Sequence, residues 1–322
     1  MKTTGKTVDY MRAELKKIGL PEDLVQILPP PASKDMTQAL MRASDLVVAT
    51  GSQDNVRRAY SSGTPAIGVG TGNVPVIIDE TADLDGAARK ICASKTFDNA
   101  TSCSSENSLV IVDGGYERAL AALGRAGGYT CVGNEAARVR DRLWQSGKLN
   151  RRLIAKDAAV LAEAFALPAE ARRARFFMVE ETGIGRRFPL SGEKLSLVLT
   201  LYRARDFADA VDIARRILAY QGRGHSLGIH TRDPARPILL AESIDVVRVL
   251  VNQAHTFGNG GGFDNGLNFT LSMGCGTWQK NSISENLSYR HFLNVTHLVR
   301  PIPEDRPSEE ALFGRYWEKH GR

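Results

Sequence analysis

The stretch DLVVATGSQDNVRRAYSSGTPAIGVGTGNVPVIID, residues 45–79, decides the fold class of this chain. Residues 45–49 form an apolar run that predicts a buried strand, and small residues at Thr50–Ser52 predict a turn after it. The elements predicted to follow are a helix and two strands, over 55–60, 65–69 and 74–79. This alternation is typical of βαβ units, so we predict an α/β fold with a parallel sheet.

Composition agrees with a globular protein of ordinary type. The chain has 322 residues, 43% hydrophobic and 24% charged, which is enough to bury a sizeable core. Neither an apolar run long enough to span a membrane nor a signal-peptide core is found, so a cytoplasmic location and no membrane partner are expected. The net charge of +6 is spread along the chain without basic blocks, which argues against nucleic acid as a partner.

The same helix and strand signals continue on both sides of the opening stretch. Helices are predicted over 7–18, 36–43, 116–123, 134–146 and 207–221. Strands are predicted over 24–31, 109–113, 176–181, 195–202, 225–231 and 295–302. The last strand has no obvious neighbour in the sequence, and such a strand often pairs with another chain.

Cys103 stands out in FDNATSCSSENS, residues 97–108, because its neighbours are small and hydroxylated and a strand follows. The thiolate is the reactive form of cysteine, and backbone N–H groups or a helix N-terminus lower its pKa. On residue type alone, catalysis and a structural role remain equally open; for Cys92 and Cys131 we prefer the structural one. The four cysteines are too widely spaced for a CxxC site, so no metal is expected.

Five runs together resemble the CoA-acylating branch of the aldehyde dehydrogenase superfamily, in order and in spacing. These are ATGSQDNVRRAYSSGTPAIGVGTGNVPVIIDETADL, SKTFDNATSCSSENS, GEKLSLVLTLYRARDF, GRGHSLGIHT and GCGTWQKNSISEN. The resemblance extends from about Asp45 to Pro301. The C-terminal run from His255 to Asn294 is most similar to members that act on sulfoacetaldehyde.

The resemblance implies a covalent mechanism in which Cys103 is the nucleophile. In this family the cysteine attacks an aldehyde, hydride passes to NAD or NADP, and the resulting thioester is transferred to coenzyme A. Hydrolytic relatives carry a glutamate base in the segment that reads AIGVGTGN here, residues 66–73, where this chain has no carboxylate. Its absence fits thiolysis by coenzyme A, since a thiol needs less basic help than water.

The resemblance also assigns the nicotinamide cofactor site. The turn of Thr50, Gly51 and Ser52 opens a helix whose N–H groups favour a pyrophosphate. Close approach of the nicotinamide would be permitted by Gly68, Val69 and Gly70. Glu193 matches the family carboxylate that holds the nicotinamide ribose. Without the resemblance, a plain turn, glycines in a tight turn and a solvated Glu193 are the alternatives.

Four further residues are candidates for contact with substrate or coenzyme A. His225 matches a histidine of the acylating enzymes, although a structural histidine at a strand edge would look the same. Arg223, His255 and Lys280 are candidate partners for an anionic aldehyde such as a sulfonate. We expect at least one of these three to meet the substrate charge and the others to be surface groups.

The family resemblance predicts three segments in an aldehyde dehydrogenase fold. Residues 1–94 form an incomplete Rossmann-type NAD(P)-binding domain, 95–270 the catalytic domain, and 271–322 a return segment with an oligomerisation strand. A homo-oligomer is expected, because relatives associate through that strand.

The family pattern also predicts that roughly a quarter to a third of a typical acylating member precedes the part that corresponds to the first helix of this chain. That part carries an oxyanion-hole asparagine, whose loss costs ~10²–10³ in rate, and the residues that distinguish NAD from NADP. Three hypotheses therefore stand: an acylating dehydrogenase for an anionic aldehyde, one for acetaldehyde or succinate semialdehyde, and an inactive binding or assembly partner.

Overall fold

A computed structural model describes residues 2–51 and 53–322 of the chain. Its helices are α1 (Lys2–Lys17), α2 (Lys34–Ala43), α3 (Gln53–Tyr60), α4 (Leu84–Thr96), α5 (Tyr116–Arg125), α6 (Asn134–Leu143), α7 (Ala158–Ala164), α8 (Phe207–Tyr220), α9 (Ala235–Ser243), α10 (His255–Asn259) and α11 (Glu309–His320). Its strands are β1 (Val47–Ala49), β2 (Ala66–Gly68), β3 (Val74–Ile78), β4 (Glu106–Val112), β5 (Gly128–Cys131), β6 (Trp144–Gln145), β7 (Lys148–Leu149), β8 (Phe176–Glu180), β9 (Val198–Ala204), β10 (Leu227–His230) and β11 (Val249–Val251).

The predicted α/β architecture is confirmed. Seven strands form one parallel sheet in the order β11-β10-β3-β4-β9-β8-β5. The two strands predicted around the first turn, β1 and β2, pair in parallel as a separate small sheet. Every connection between paired strands of the large sheet must therefore cross over, and most of these crossovers contain a helix.

Helices cover both faces of the large sheet, which explains why its central strands read as continuous apolar runs. All residues of β3 and β4 are buried. Successive side chains point to opposite faces, so Leu109 joins the core cluster that includes α4 to α7, whereas Val110 joins the cluster that includes α8 and α9.

Several element predictions need correction. No strand forms over 24–31, because its three prolines lack donors and no other strand lies beside it; a short 3₁₀ turn at Glu22–Leu24 precedes it instead. The helix predicted over 134–146 ends at Leu143, and Trp144 begins the β6–β7 hairpin. Ser146 and Gly147 both have positive φ, as a two-residue hairpin turn requires.

The chain divides into two compact units, Met1–Ser288 and Tyr289–Arg322. The first contains the large sheet, and the second contains α11. Residues 295–302, predicted as an oligomerisation strand, form no strand within the chain itself. Among the described residues, no helix combines the length and apolar character needed to cross a bilayer.

The central strands predict a sharp stability contrast between two leucines. Leu109→Ala removes a fully buried side chain on β4 and should lower the free energy of unfolding by about 2–5 kcal/mol. Leu239→Ala, on α9 and 46% exposed, should change it by only about 0.5 kcal/mol. Urea titration monitored by circular dichroism compares the two variants with wild type. Similar losses for both would contradict the placement of β4 at the centre of the core.

Candidate active site

Five side chains from the segments that lead into adjacent strands lie at one edge of the sheet. Arg248 precedes β11, His225 precedes β10, Asn73 precedes β3, Cys103 precedes β4, and Glu193 precedes β9. These strands lie side by side in the order β11-β10-β3-β4-β9. Because all are parallel, their amino ends share one edge, and the candidate site is therefore built there and not at the carboxyl edge.

A tight turn presents Cys103 at this edge. Helix α4 ends at Thr96, and Asp98, Asn99 and Ala100 then adopt φ values of 48°, 48° and 62°. Left-handed backbone costs a non-glycine residue about 1–2 kcal/mol, so the surrounding structure must hold this turn. Gly72 lies directly against it, since a Cβ there would fall 2.0 Å from the Cys103 carbonyl oxygen.

His225 faces the Cys103 thiol. Its Nε2 lies 3.4 Å from Cys103 Sγ, and its Nδ1 lies 2.7 Å from Ser226 Oγ. The preceding Gly222 and Gly224 have φ values of 92° and 85°, and a Cβ on Gly224 would lie 2.4 Å from the Cys275 carbonyl oxygen. The sequence GRGH therefore allows the backbone turn that brings the imidazole to the thiol.

Burial keeps both partners neutral at rest. Burial raises the pKa of Cys103 to about 11, and the negative charge of Glu193 adds to the rise. Burial also lowers the pKa of His225 to about 3, assisted by His255 and Arg248. The resting pair is thus a thiol beside an uncharged imidazole, and ionisation of the thiol needs help from its surroundings.

Glu193 is half-buried beside two fully buried lysines. Burial raises the pKa of Glu193 to about 7, and the charges of Lys194 and Lys95 partly offset this rise. The Lys194 Nζ donates to the carbonyl oxygens of Leu190 and Gly192 at 2.7 and 3.0 Å. Burial lowers the pKa of Lys194 well below its usual range. No partner for the Glu193 carboxylate is found in the described part of the chain, which leaves it available to a ligand.

The predicted pyrophosphate turn is described only in part. Thr50 and Gly51 follow β1, Gly51 has a φ of 121°, and Thr50 Oγ1 lies 3.0 Å from Ser272 Oγ. Ser52 lies outside the described residues. The strand, the turn and helix α3 follow one another as predicted, while the role of these residues in cofactor binding stays a prediction.

The segment Gly68, Val69 and Gly70 packs tightly against the protein. A Cβ on Gly68 would lie 2.6 Å from Val56, and one on Gly70 would lie 2.4 Å from the Gln279 side chain. Gln279 accepts from the Thr71 N–H and donates to the Thr71 carbonyl, both at 2.9 Å. Protein packing is thus sufficient to require both glycines, and their contact with nicotinamide remains a prediction.

The three candidate groups for substrate charge differ in environment. His255 is buried, and its Nδ1 donates to the Ser104 carbonyl oxygen at 2.9 Å; burial lowers its pKa to about 4. Arg223 is 57% exposed, and its Nη2 pairs with Asp245 Oδ2 at 2.5 Å. Lys280 is exposed and has a left-handed backbone with a φ of 58°. Among the described residues, Lys280 alone of the three carries a charge without an ion-pair partner.

Sequence reasoning missed the buried charges behind the site. Lys95 Nζ donates to the Glu106 carbonyl oxygen at 2.7 Å, and burial raises the pKa of the Glu106 carboxyl to about 7. Arg248, beside His225, was missed as well. For Arg248 the available signal is a lone charge inside the apolar run VVRVLV, residues 246–251, whereas Lys95 and Glu106 have polar sequence neighbours and give no such signal.

Comparisons with known proteins identify the family and the fold. A family model described as "Aldehyde dehydrogenase family" matches residues 2–140. A sulfoacetaldehyde dehydrogenase (acylating) of Cupriavidus necator is 51% identical over 99% of this chain and 65% of its own length. A Bilophila wadsworthia enzyme of the same name is 42% identical over 100% of this chain and 70% of its own length. An acetylating aldehyde dehydrogenase structure from Geobacillus thermoglucosidasius is 33% identical, with a TM-score of 0.86 over 93% of this chain and 67% of that one.

These similarities place the chain in the aldehyde dehydrogenase family, and the relatives and the structure named above are acylating or acetylating enzymes. The family resemblance and the aldehyde dehydrogenase fold are confirmed. The chain spans 65% of the length of its relative from Cupriavidus necator.

The contact between Gly72 and Cys103 predicts a local test of the site. Gly72→Ala should displace the Cys103 turn, because its Cβ would lie 2.0 Å from the Cys103 carbonyl oxygen. We expect a free energy of unfolding lower by about 1–3 kcal/mol and slower alkylation of Cys103 by iodoacetamide. In the control Gly124→Ala, on α5, no atom lies within 4 Å of the new Cβ. That variant should be as stable as wild type or more so. Unchanged alkylation in Gly72→Ala would show that the turn does not depend on this contact.

Proposed function

We propose that the chain carries CoA-acylating aldehyde dehydrogenase activity, in which aldehyde, coenzyme A and NAD(P)+ yield acyl-CoA and NAD(P)H. The observation that carries the proposal is the 3.4 Å approach of His225 Nε2 to Cys103 Sγ at the amino edge of the sheet. A nucleophile with a base in contact is the arrangement that covalent catalysis needs. The acylating relatives support the same chemistry.

Cys103 and His225 perform the first step. With its Nδ1–H donating to Ser226 Oγ, neutral His225 has Nε2 free to accept the thiol proton. The Cys103 sulfur then bonds to the aldehyde carbon while the carbonyl π electrons move to oxygen. That oxygen takes up a proton, and the product is a thiohemiacetal on Cys103. Because burial lowers the pKa of His225 to about 3, the imidazole returns its proton readily.

The residues present fit a nicotinamide cofactor. The Glu193 carboxylate has no partner within the described residues and could accept two ribose hydroxyls, while Thr50–Gly51 provides a turn before a helix. When bound, the oxidised nicotinamide would supply the acceptor for the hydride whose loss, together with loss of the hydroxyl proton, turns a thiohemiacetal into a thioester. The choice between NAD and NADP is open.

Coenzyme A is proposed as the acyl acceptor. Its thiol sulfur would bond to the thioester carbon, and the bond to Cys103 would break so that the cysteine leaves as a thiolate. Residues 66–73 contain no carboxylate that could activate water in its place. His225, which contacts Cys103, is the base in position to take the proton from the incoming thiol.

An anionic aldehyde, sulfoacetaldehyde, is the substrate we favour. Lys280 has no ion-pair partner in the described part of the chain, whereas Arg223 is paired with Asp245. Gln279, the residue before Lys280, contacts Gly70 and Thr71 on the segment that precedes the site residue Asn73. A neutral aldehyde such as acetaldehyde, or succinate semialdehyde, is the alternative substrate.

The larger organisation is also part of the proposal. Residues 1–94 would contribute to NAD(P) binding, 95–270 to catalysis, and 271–322 to a return segment and association. A homo-oligomer would use residues 295–302, which have no strand partner among the described residues and include the exposed Leu298 and Val299.

The activity test measures NADH or NADPH formation by the purified chain with sulfoacetaldehyde, with and without coenzyme A. We expect a CoA-dependent signal that Cys103→Ala abolishes, because the thiol forms the covalent intermediate. Cys131→Ala is a control, since that thiol is buried on β5 and outside the site. Folded wild-type chain without any signal would favour the alternative of an inactive binding or assembly partner.

Lys280 provides a separate test of substrate charge. Lys280→Met should raise KM for sulfoacetaldehyde about tenfold, the value of one charge-assisted hydrogen bond, and should leave KM for acetaldehyde nearly unchanged. Lys148→Met is a matched control, because Lys148 is exposed on the β6–β7 hairpin. Equal effects on both aldehydes would mean that Lys280 does not recognise the sulfonate.

A further inference from the structure

Arg248 is a buried cation whose side chain is hydrogen-bonded to neutral acceptors. It directly precedes β11 and is 7% exposed. Its side chain donates to neutral acceptors: Nε to Asn286 Oδ1 at 2.9 Å, Nη2 to the Gly274 carbonyl oxygen at 3.1 Å and Nη1 to the His225 carbonyl oxygen at 3.5 Å. The Glu285 charge acts on Arg248 and raises its pKa, but these side-chain hydrogen bonds of the guanidinium go to neutral oxygens.

The energetic cost of this arrangement calls for a function. Removing an ion from water into a protein interior costs several kcal/mol, and an apolar side chain of similar size avoids that cost. Burial accordingly lowers the pKa of Arg248 below its ordinary range. A purely structural bridge between these carbonyls would not require a full positive charge.

The guanidinium is tied directly to the candidate catalytic pair. It holds the backbone carbonyl of His225, whose Nε2 lies 3.4 Å from Cys103 Sγ. The electrostatic effect is reciprocal: Arg248 lowers the pKa of Cys103, and Cys103 raises the pKa of Arg248. The cation therefore acts on the sulfur across the amino ends of β10 and β3, which lie between β11 and β4.

The other titratable groups around Cys103 do not provide this positive charge. Glu193 raises the pKa of Cys103, and His225 is neutral. Cys275, whose pKa burial raises to about 12, is a neutral thiol. The buried Lys95 and Lys194 act on Glu193.

We infer that Arg248 is a positioning residue for the nucleophile: it fixes the His225 backbone and stabilises the Cys103 thiolate as that thiolate forms. This inference rests on the proposed role of Cys103. Thiolate stabilisation is needed in both half-reactions, because Cys103 attacks as a thiolate and leaves as one.

The test is the pH dependence of Cys103 alkylation by iodoacetamide, with Cys103 followed by peptide mass spectrometry so that the other cysteines do not contribute. Arg248→Met should move the midpoint to higher pH by about one unit, which slows alkylation about tenfold at a fixed lower pH. Arg248→Lys, which keeps the charge, should have a midpoint close to that of wild type.

Arg236→Met is the matched control. Arg236 is also largely buried, with a 17% exposed side chain, but it pairs with Asp79 at 2.6 Å beyond the carboxyl end of β3. This variant should lose stability and keep the wild-type midpoint. A second variant, Asn286→Asp, leaves Arg248 in place and puts a carboxylate beside its Nε, so it should also raise the midpoint.

An unchanged midpoint in folded Arg248→Met, or in Asn286→Asp if the first variant does not fold, would overturn the inference and leave Arg248 a structural role. Because alkylation needs neither aldehyde nor coenzyme A, this outcome is independent of the activity test. If the wild-type chain is inactive but the alkylation midpoint still depends on Arg248, the proposed function is refuted and the inference about Arg248 is not.

Discussion

The parallel alignment of the seven strands is the constraint on which the rest of the structure depends. Because all run in one direction, the segments that enter β11, β10, β3, β4 and β9 meet at a single edge. Cys103 and His225 are 122 positions apart in sequence yet come within 3.4 Å through this alignment. An antiparallel neighbour would have sent one of them to the opposite edge. The helices on both faces provide the burial that keeps the strands in register.

Burial sets the chemistry of the site as much as the contacts do. It raises the pKa of Cys103 to about 11 and of Glu193 to about 7, and it lowers the pKa of His225 to about 3. All three shifts favour uncharged groups, so the resting site carries little charge of its own. The fixed positive charge of Arg248 then stabilises the negative charge of the Cys103 thiolate. A site of uncharged groups with the buried Arg248 beside it suits a nucleophile that ionises only when its substrate arrives.

Sequence patterns predicted structure best where the conformation of an element depends on its own residues. The βαβ rhythm of residues 45–79 predicted the parallel sheet because strands buried on both faces must be apolar throughout. The strand predicted over 24–31 was wrong, because apolar composition does not reveal whether a neighbouring strand exists. Helical periodicity led to the assignment of Trp144 to a helix. The positive φ values of Ser146 and Gly147, which end that periodicity, are seen only in the folded hairpin. Helix α4, with its Asp83 cap, was overlooked although it supports the Cys103 turn.

By itself the sequence determined the fold class, the nucleophile candidate Cys103 and the family, because these depend on local patterns and on the order of short motifs. Only the tertiary structure decided which charges accompany that thiol. Lys280 and Arg223 looked alike in sequence, yet Arg223 is paired with Asp245. Arg248 is not distinguished by its apolar sequence neighbours, yet it donates a hydrogen bond to the backbone of His225, the residue that contacts Cys103. Electrostatic influence depends on distance and desolvation in three dimensions, and neither is encoded by spacing along the chain.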